Sequence, residues 1–333
     1  MKTLKISFLK KTPDFAREGI QKLLGERYHL VEDDEDFDYL IATPWLYYAK
    51  KETLPDFMER SPGHITIMYG CHEAIAPDFM LFDYYIGLDT IAASDRTVKL
   101  PYLRHHLQEV HGTKQGLNTR TLLATKTAFC NFIYSNRKSH ANRDSIFHKL
   151  SGYQFVHSLG PHLNNTPGDG HRADDWYASS IQMKKPYKFS IAFENAWYPG
   201  YTSEKIVTSM LAGTIPIYWG NPRIGEEFNS KSFINCHDFA SLDDVVAYVK
   251  QVNENDNLWC EIMEQPWKTP EQEERFLAEM AHETEKLYRI FDQSLEEARR
   301  KGDGTWISYY HRFLTGRRKR ASFWQRIKQK IKH

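Results

Sequence analysis

Cysteine is scarce in this chain. Four stand singly in 333 residues, as Cys71, Cys130, Cys236 and Cys260, with no paired spacing. That excludes a disulfide framework and a zinc-finger pattern, and a reducing compartment is the simpler expectation. Long apolar runs are missing too. None approaches the roughly 18 consecutive apolar residues that a membrane helix needs. The start, Met1 to Lys11, is a short strand pattern interrupted by lysines and lacks the apolar core of a secretion signal. Charge of one sign is also absent in bulk: 44 basic residues against 43 acidic ones leave a net +1.

That near-zero sum hides an asymmetry. Residues 317–333 carry eight Lys and Arg and no acid, so the remainder is at −7. Phe323, Trp324, Ile327 and Ile331 are spaced for one helical face, and a basic amphipathic helix with Trp reads as a segment for an anionic membrane surface. A solvated tail is the plainer alternative. Nucleic acid is not expected as a partner, because the acidic body would repel phosphates. Aromatic residues make up 14% of the chain, which suits sugar faces as well as cores.

The hydrophobic pattern predicts an α/β protein. Strands are expected at 3–9, 28–32, 38–43, 65–69 and 84–88, with a helix across 14–25. A second domain begins near Thr127 with a strand through Phe132, followed by a helix over Leu242–Asn253. A charged helix over Glu271–Arg300 has Phe276, Met280, Leu287, Ile290 and Leu295 as its apolar stripe. Gly302-Asp303-Gly304 breaks it, and Trp306–Leu314 is expected as a short terminal helix. The length fits two domains, divided as 1–126, 127–300 and a terminal helix and tail over 301–333.

Residues 189–222 carry the most information. Phe189, Ile191 and Phe193 alternate as a buried strand, and Pro199-Gly200 breaks the chain. Thr202 or Ser203 can cap a helix whose buried face is Ile206, Val207, Met210 and Leu211, and Gly213 ends it. Ile215, Ile217 and Trp219 form the next strand. The polar loop thus brings Glu194, Asn195, Tyr201, Glu204 and Lys205 to a strand end and a helix N-terminus, where open α/β sheets bind nucleotides. A cation such as Lys205 is disfavoured in a first helical turn unless an anion is near, and a diphosphate would supply one. A crossover with a merely solvated loop fits the local pattern equally well.

The elements Phe193-Glu194-Asn195, Gly200-Tyr201, Glu204-Lys205 and Pro216-Ile217-Tyr218-Trp219-Gly220-Asn221-Pro222 closely resemble the signature of the bacterial α-1,3-fucosyltransferases of glycosyltransferase family 10. Two further segments match in the same order. Gly70-Cys71-His72-Glu73-Ala74-Ile75-Ala76-Pro77-Asp78-Phe79, running into Leu81–Asp89, is similar to the segment carrying the catalytic carboxylate. Phe129–Asn136 with Arg143 is similar to the strand opening the donor domain. Ala196 stands where the family usually has Ser, and Asn164 where some bacterial members have Arg. The resemblance implies a GT-B architecture: two Rossmann-like α/β domains facing a cleft, with C-terminal helices.

It also implies a reaction. L-Fucose would pass from GDP-β-L-fucose to the 3-hydroxyl of N-acetylglucosamine or glucose in a galactose-terminated acceptor, with inversion, giving Lewis-type glycans. Glu73 would be the general base. Lys205 and Arg143 would neutralise the diphosphate, Glu204 would accept hydrogen bonds from ribose hydroxyls, and Tyr201 and Asn195 would contact phosphate, nucleotide or sugar. Glu194 would serve the loop itself. No metal is required by this arrangement, although Mn2+ or Mg2+ could stimulate it. Asp36-Phe37-Asp38 is a formal metal-binding pattern that reads as a solvated turn. The bacterial members imply a cytoplasmic enzyme held peripherally at the inner membrane face. Rival readings are an α-1,3/1,4 enzyme acting on type 1 chains, a transferase with another nucleotide sugar, and a carbohydrate-binding protein without catalysis. Trp45, Tyr47 and Tyr48 could stack on an acceptor sugar or fill the core.

Overall fold

The computed structural model describes residues 1–88, 91–92, 94–100, 118–168, 170, 175–301 and 309–310. The expected terminal helix at 306–314 and the basic tail lie outside them, apart from Tyr309 and Tyr310. The chain divides into two compact units, Met1–Lys99 with the chain from Glu283 on, and Leu100–His282. This grouping sets residues 118–126 with the second unit and 283–300 with the first, where the motif-based division runs 1–126 and 127–300.

The first unit is built on β1 (Lys2–Phe8), β2 (Tyr28–Glu32), β3 (Tyr39–Ala42), β4 (Ile65–Tyr69), β5 (Tyr84–Gly87) and β6 (Thr97–Lys99). They form one sheet in the order β2-β1-β3-β4-β5-β6, every pair parallel. All residues of β3, β4 and β5 are buried, as expected of parallel strands covered on both faces. Leu40, Phe57, Met68, Phe82 and Tyr85 pack in one core cluster. The end of the long Pro270–Asp292 helix belongs to this unit. Tyr28 donates to Asp292 Oδ1 at 2.8 Å, and Phe291 packs against Tyr39 at 5.0 Å between ring centroids.

Asp83 closes the first unit. Its Oδ1 accepts the backbone N–H groups of Arg300 (2.7 Å) and Lys301 (2.9 Å), and its Oδ2 accepts from Thr66 N (2.8 Å) and lies 3.3 Å from Lys301 Nζ. A fully buried carboxylate is tolerated because its oxygens are this thoroughly paired.

The second unit holds β7 (Ala128–Phe132), β8 (Val156–Ser158), β9 (Tyr187–Phe193), β10 (Ile215–Trp219) and β11 (Ile234–Asn235), in the order β11-β10-β9-β7-β8. Again every pair is parallel. One face packs on Ile146, Phe147 and Leu150 of the Asn142–Ser151 helix and on Val245, Val249 and Trp259. The other packs on Ile206, Val207 and Met210 of the Glu204–Leu211 helix, with Phe276 and Met280.

Two expectations need correction. The helix predicted over Glu271–Arg300 ends at Asp292, and a new turn begins at Leu295 behind a capping box formed by Ser294 and Glu297. Leu295, placed on the buried stripe by its spacing, is 44% exposed as a result. Among the described residues no helix is long and apolar enough to cross a membrane.

Candidate functional site

The order of the second sheet reverses between β7 and β9. In an open parallel sheet the loops leaving such a pair diverge to opposite faces and leave a crevice beyond the strand ends, where ligands bind. Here those loops are 133–141 and 194–203. Tyr134 fastens the first to the second: its hydroxyl accepts from Phe193 N at 2.7 Å and lies 3.0 Å from Ile191 O. His140 N adds a bond of 2.9 Å to Asn195 O.

Glu194 is the centre of the second loop. It is fully buried and accepts from Ser203 N (2.8 Å), Ser203 Oγ (2.7 Å) and Lys205 Nζ (3.0 Å). Ser203 stands at the N-cap position of the Glu204–Leu211 helix, but its side chain makes no cap bond; its hydroxyl serves Glu194 instead. The expectation of a Thr202 or Ser203 side-chain cap is corrected accordingly. Gly220 makes this close approach feasible. A Cβ there would fall 2.4 Å from Glu194 Cγ, and its φ of +152° is one that L side chains rarely adopt.

Lys205 Nζ also lies 3.5 Å from Glu204 Oε1 and donates to Ser203 Oγ at 2.8 Å. Burial disfavours its charge, yet Glu194 and Glu204 outweigh burial and hold its pKa well above the ordinary lysine value. The anion that permits a cation in this first turn is therefore Glu194 of the protein itself. Burial raises the Glu194 pKa despite Lys205, whereas for Glu204 Lys205 and the helix N-terminus overcome burial and lower it.

Arg143 is fully buried, which excludes the solvated surface charge that an isolated arginine usually is. Its Nη1 donates to Asn195 Oδ1 at 3.0 Å, its Nη2 to the Asn136 carbonyl, and its guanidinium stacks over the Tyr134 ring at 4.4 Å. Its buried Nε has no hydrogen-bond partner among the described residues. Burial pushes its pKa below the usual arginine value. Tyr201 is buried as well, and its carbonyl accepts from Tyr218 Oη at 3.3 Å. Asn221 completes the clamp: its Oδ1 accepts from Gly200 N at 2.9 Å and its Nδ2 donates to Thr202 Oγ1 at 3.0 Å. The Tyr218–Asn221 turn thus holds the loop that begins at Glu194.

Arg143, Asn195, Tyr201, Glu204 and Lys205 all belong to this one constellation. Lys184 and Asn136 join it without having been singled out from sequence. Lys184 ends the Trp176–Lys184 helix, is buried, and donates to Thr208 Oγ1 at 2.6 Å. Burial pushes its ammonium down to about 7, against an opposing pull from Glu204. A lysine at a helix end reads as solvated in sequence, so no local signal marks it. Lys184, Lys205 and Arg143 against Glu194 and Glu204 leave an excess of one positive charge when all are ionised. Such a site can hold an anion while offering Glu204 as an acceptor for hydroxyl groups.

Glu73 belongs to the first unit. It follows β4, and its N–H bonds back to Gly70 O at 2.9 Å. Cys71 (φ 47°) and His72 (φ 59°) both take the left-handed conformation that non-glycine residues avoid. Two consecutive residues of this kind store strain of order 1–3 kcal/mol each, and such strain concentrates at functional sites. Asn164, in the place of an arginine in some bacterial sequences, is a loop residue: its Nδ2 donates to Gly160 O at 3.2 Å. Asp36 of the Asp-x-Asp pattern pairs with Lys5 at 2.6 Å. Among the described residues no group of three His, Cys, Asp or Glu is placed to hold a metal ion.

Residues 123–300, over half of the chain, match the family described as glycosyltransferase family 10 (fucosyltransferase) C-term. An α-(1,3)-fucosyltransferase FucT of Helicobacter pylori is 30% identical over 226 residues, covering 58% of this chain and 46% of that protein. A putative fucosyltransferase R654 of Acanthamoeba polyphaga mimivirus is 32% identical over 190 residues, covering 56% of this chain and 31% of that protein. The chain thus spans about a third to a half of the length of these curated relatives. A crystal structure of an α1,3-fucosyltransferase with GDP-fucose shares the fold, with a TM-score of 0.64 at 24% identity over 86% of this chain and 91% of that one. With two Rossmann-like α/β units of the GT-B class and a family match running through every residue of the constellation in the second unit, this chain belongs to the family 10 fucosyltransferases.

Proposed function

We propose that this protein transfers L-fucose from GDP-β-L-fucose to the 3-hydroxyl of N-acetylglucosamine or glucose in a galactose-terminated acceptor, inverting the anomeric centre. The observation that carries this reading is the constellation of buried Arg143 with half-buried Asn195, Glu204 and Lys205 at the reversal point of the second sheet. GDP is already a good leaving group. It needs its developing charge neutralised rather than a proton delivered. Lys205 and Arg143 supply that charge, and the first turn of the Glu204–Leu211 helix adds backbone N–H groups and the positive end of its dipole. Glu204, kept ionised, accepts from the ribose hydroxyls. Asn195, oriented by Arg143, contacts the sugar or phosphate.

Inversion in one displacement needs one base, opposite the leaving diphosphate. Glu73 fills that role and removes the acceptor hydroxyl proton. A general base contributes about 10²–10⁴-fold. Glu73→Gln should therefore retain GDP affinity, measured by calorimetry, while kcat falls by about that factor; a fall under about tenfold would refute the role. Donor and linkage are tested together by incubating the protein with GDP-fucose and N-acetyllactosamine, lacto-N-biose or lactose. Methylation analysis of the product then follows. Transfer to lacto-N-biose at the 4-hydroxyl would move the assignment to α-1,3/1,4, and no product with any acceptor would overturn it. Manganese or magnesium added to a chelator-treated sample should stimulate modestly at most. The basic segment 317–333 is proposed to hold the enzyme on anionic membranes. Co-sedimentation with phosphatidylglycerol vesicles, lost in 0.5 M salt, is the expected behaviour.

A further inference from the structure

The first sheet has a reversal point of its own, between β1 and β3. Two short connections leave it. The Asp14–Leu24 helix follows β1 and carries Phe15 in its first turn; the Trp45–Tyr48 turn of helix follows β3. These elements bring three rings together. Phe15 meets Trp45 edge-on at 5.5 Å between centroids, and Trp45 meets Tyr48 edge-on at 6.0 Å. Their exposure is unusual for large aromatic side chains: Phe15 is 55% and Tyr48 69% accessible, and neighbouring Tyr47 is 40%. Core packing, one of the two readings open from sequence for Trp45, Tyr47 and Tyr48, is thereby excluded for Tyr47 and Tyr48, whereas Trp45 is half-buried. Contiguous exposed apolar surface of this kind marks a binding site more often than chance.

The neighbouring strand decides what would bind. β4 pairs with β3, and the loop after β4 carries Glu73 and Asp78. Both carboxylates act electrostatically on the rings: the Tyr48 phenol is pushed up by burial and then by Glu73, and the Tyr47 phenol by burial and then by Asp78. The patch is therefore aromatic, its rings set edge-on to one another, with two carboxylates close enough to act on it. A pyranose matches that chemistry, with one face of C–H groups and a rim of hydroxyls. A lipid chain or an apolar helix has no use for the acidic edge, and a phosphate would be repelled by it.

We propose that Phe15, Trp45 and Tyr48 form the platform on which the acceptor oligosaccharide lies, presenting its hydroxyl to Glu73. This rests on the fucosyl-transfer reading and extends it to the acceptor. Tyr48 holds the sugar that receives fucose; Trp45 and Phe15 hold the next ring along.

The test uses the full chain with Phe15→Ala, Trp45→Ala, Tyr48→Ala and Tyr48→Phe. For Trp45→Ala and Tyr48→Ala the acceptor KM for N-acetyllactosamine should rise about tenfold, as expected for losing a stacked ring worth about 1.4 kcal/mol. The GDP-fucose KM and the rate of acceptor-free GDP-fucose hydrolysis should stay within twofold. Tyr48→Phe should behave as wild type, because the ring rather than the hydroxyl does the stacking. An acceptor KM within twofold of wild type in all three alanine variants would overturn the platform. So would a parallel change in the donor KM, which reports general damage. If the wild-type protein transfers to no saccharide, the fucosyl-transfer reading has failed, and saturation-transfer NMR with N-acetyllactosamine then decides on the platform by itself. Signal in wild type that is lost in Tyr48→Ala supports it, and no signal in wild type overturns it.

Discussion

Lys184 offers the sharpest physical test of the second unit. Its ammonium is buried, donates to Thr208 Oγ1 at 2.6 Å, and shares its surroundings with the carboxylate of Glu204 and the like charge of Lys205. Burial lowers its pKa from the usual 10.5 to about 7, so between those limits the unfolded chain binds one proton more than the folded one. Stability must then rise with pH across that window, by about 1.4 kcal/mol per pH unit from this group alone. Below about pH 7 the amine is charged in both states and the full cost of burying it is present. Integrated from pH 7 to 9, the gain is about 2 kcal/mol. Lys184→Met keeps the shape and removes the titration. The stability of wild type minus that of Lys184→Met, from urea unfolding followed by tryptophan fluorescence, should therefore climb by about 2 kcal/mol from pH 7 to 9. Taking the difference cancels other groups that titrate there, such as Lys126, which burial lowers to about 8. Lys184→Arg should fall progressively further below wild type in stability as pH rises above about 7, because a guanidinium cannot shed its proton. A gap between wild type and Lys184→Met constant to within about 0.5 kcal/mol over that range would refute the account.

Two more predictions concern packing. Gly220→Ala forces a methyl to within 2.4 Å of Glu194 Cγ, so the Glu194–Ser203–Lys205 cluster must shift; the expected cost is about 1–3 kcal/mol in urea unfolding, accompanied by weaker GDP binding in calorimetry. Asp83→Ala leaves the Lys301 ammonium buried without its carboxylate and frees the N–H groups of Arg300 and Lys301. It should destabilise the first unit by about 3–5 kcal/mol and expose the chain after Gln293 to proteolysis, and an unchanged cleavage pattern would count against that role.

The elements readable in sequence were those with a long, clean period. The strand at 189–193, its helix and the strand at 215–219 lie where alternation and helical spacing put them, because each buries an unbroken apolar face. β6, β8 and β11 were not anticipated: with two or three residues each they leave no period to detect. The break at Gln293 is marked in sequence by the Ser294…Glu297 capping box, which outweighs an apolar stripe whose spacing runs on to Leu295. Side-chain pairing was harder to foresee. Lys205, a cation in a first helical turn, needs an anion, and its partner is Glu194, eleven residues upstream. That pairing depends on the loop folding back under Gly220 and Asn221, a tertiary arrangement with no local trace. The burial of Arg143 and Lys184 was invisible for the same reason, since composition alone places both in water.

The first sheet owes its closure to residues more than two hundred positions away. Lys2 Nζ donates to Phe291 O at 2.5 Å, Gln293 to the Tyr84 hydroxyl at 2.9 Å, and Asp83 takes the N–H of Arg300. On the ribosome the N-terminal strands must wait, half-covered, until the whole intervening unit has emerged. At roughly 5–20 residues per second that delay is about ten to forty seconds. During it β4 and β5, apolar on both faces, are a liability for chaperones to shield. Premature stops anywhere before Glu283 should yield inclusion bodies rather than a trimmed but soluble protein.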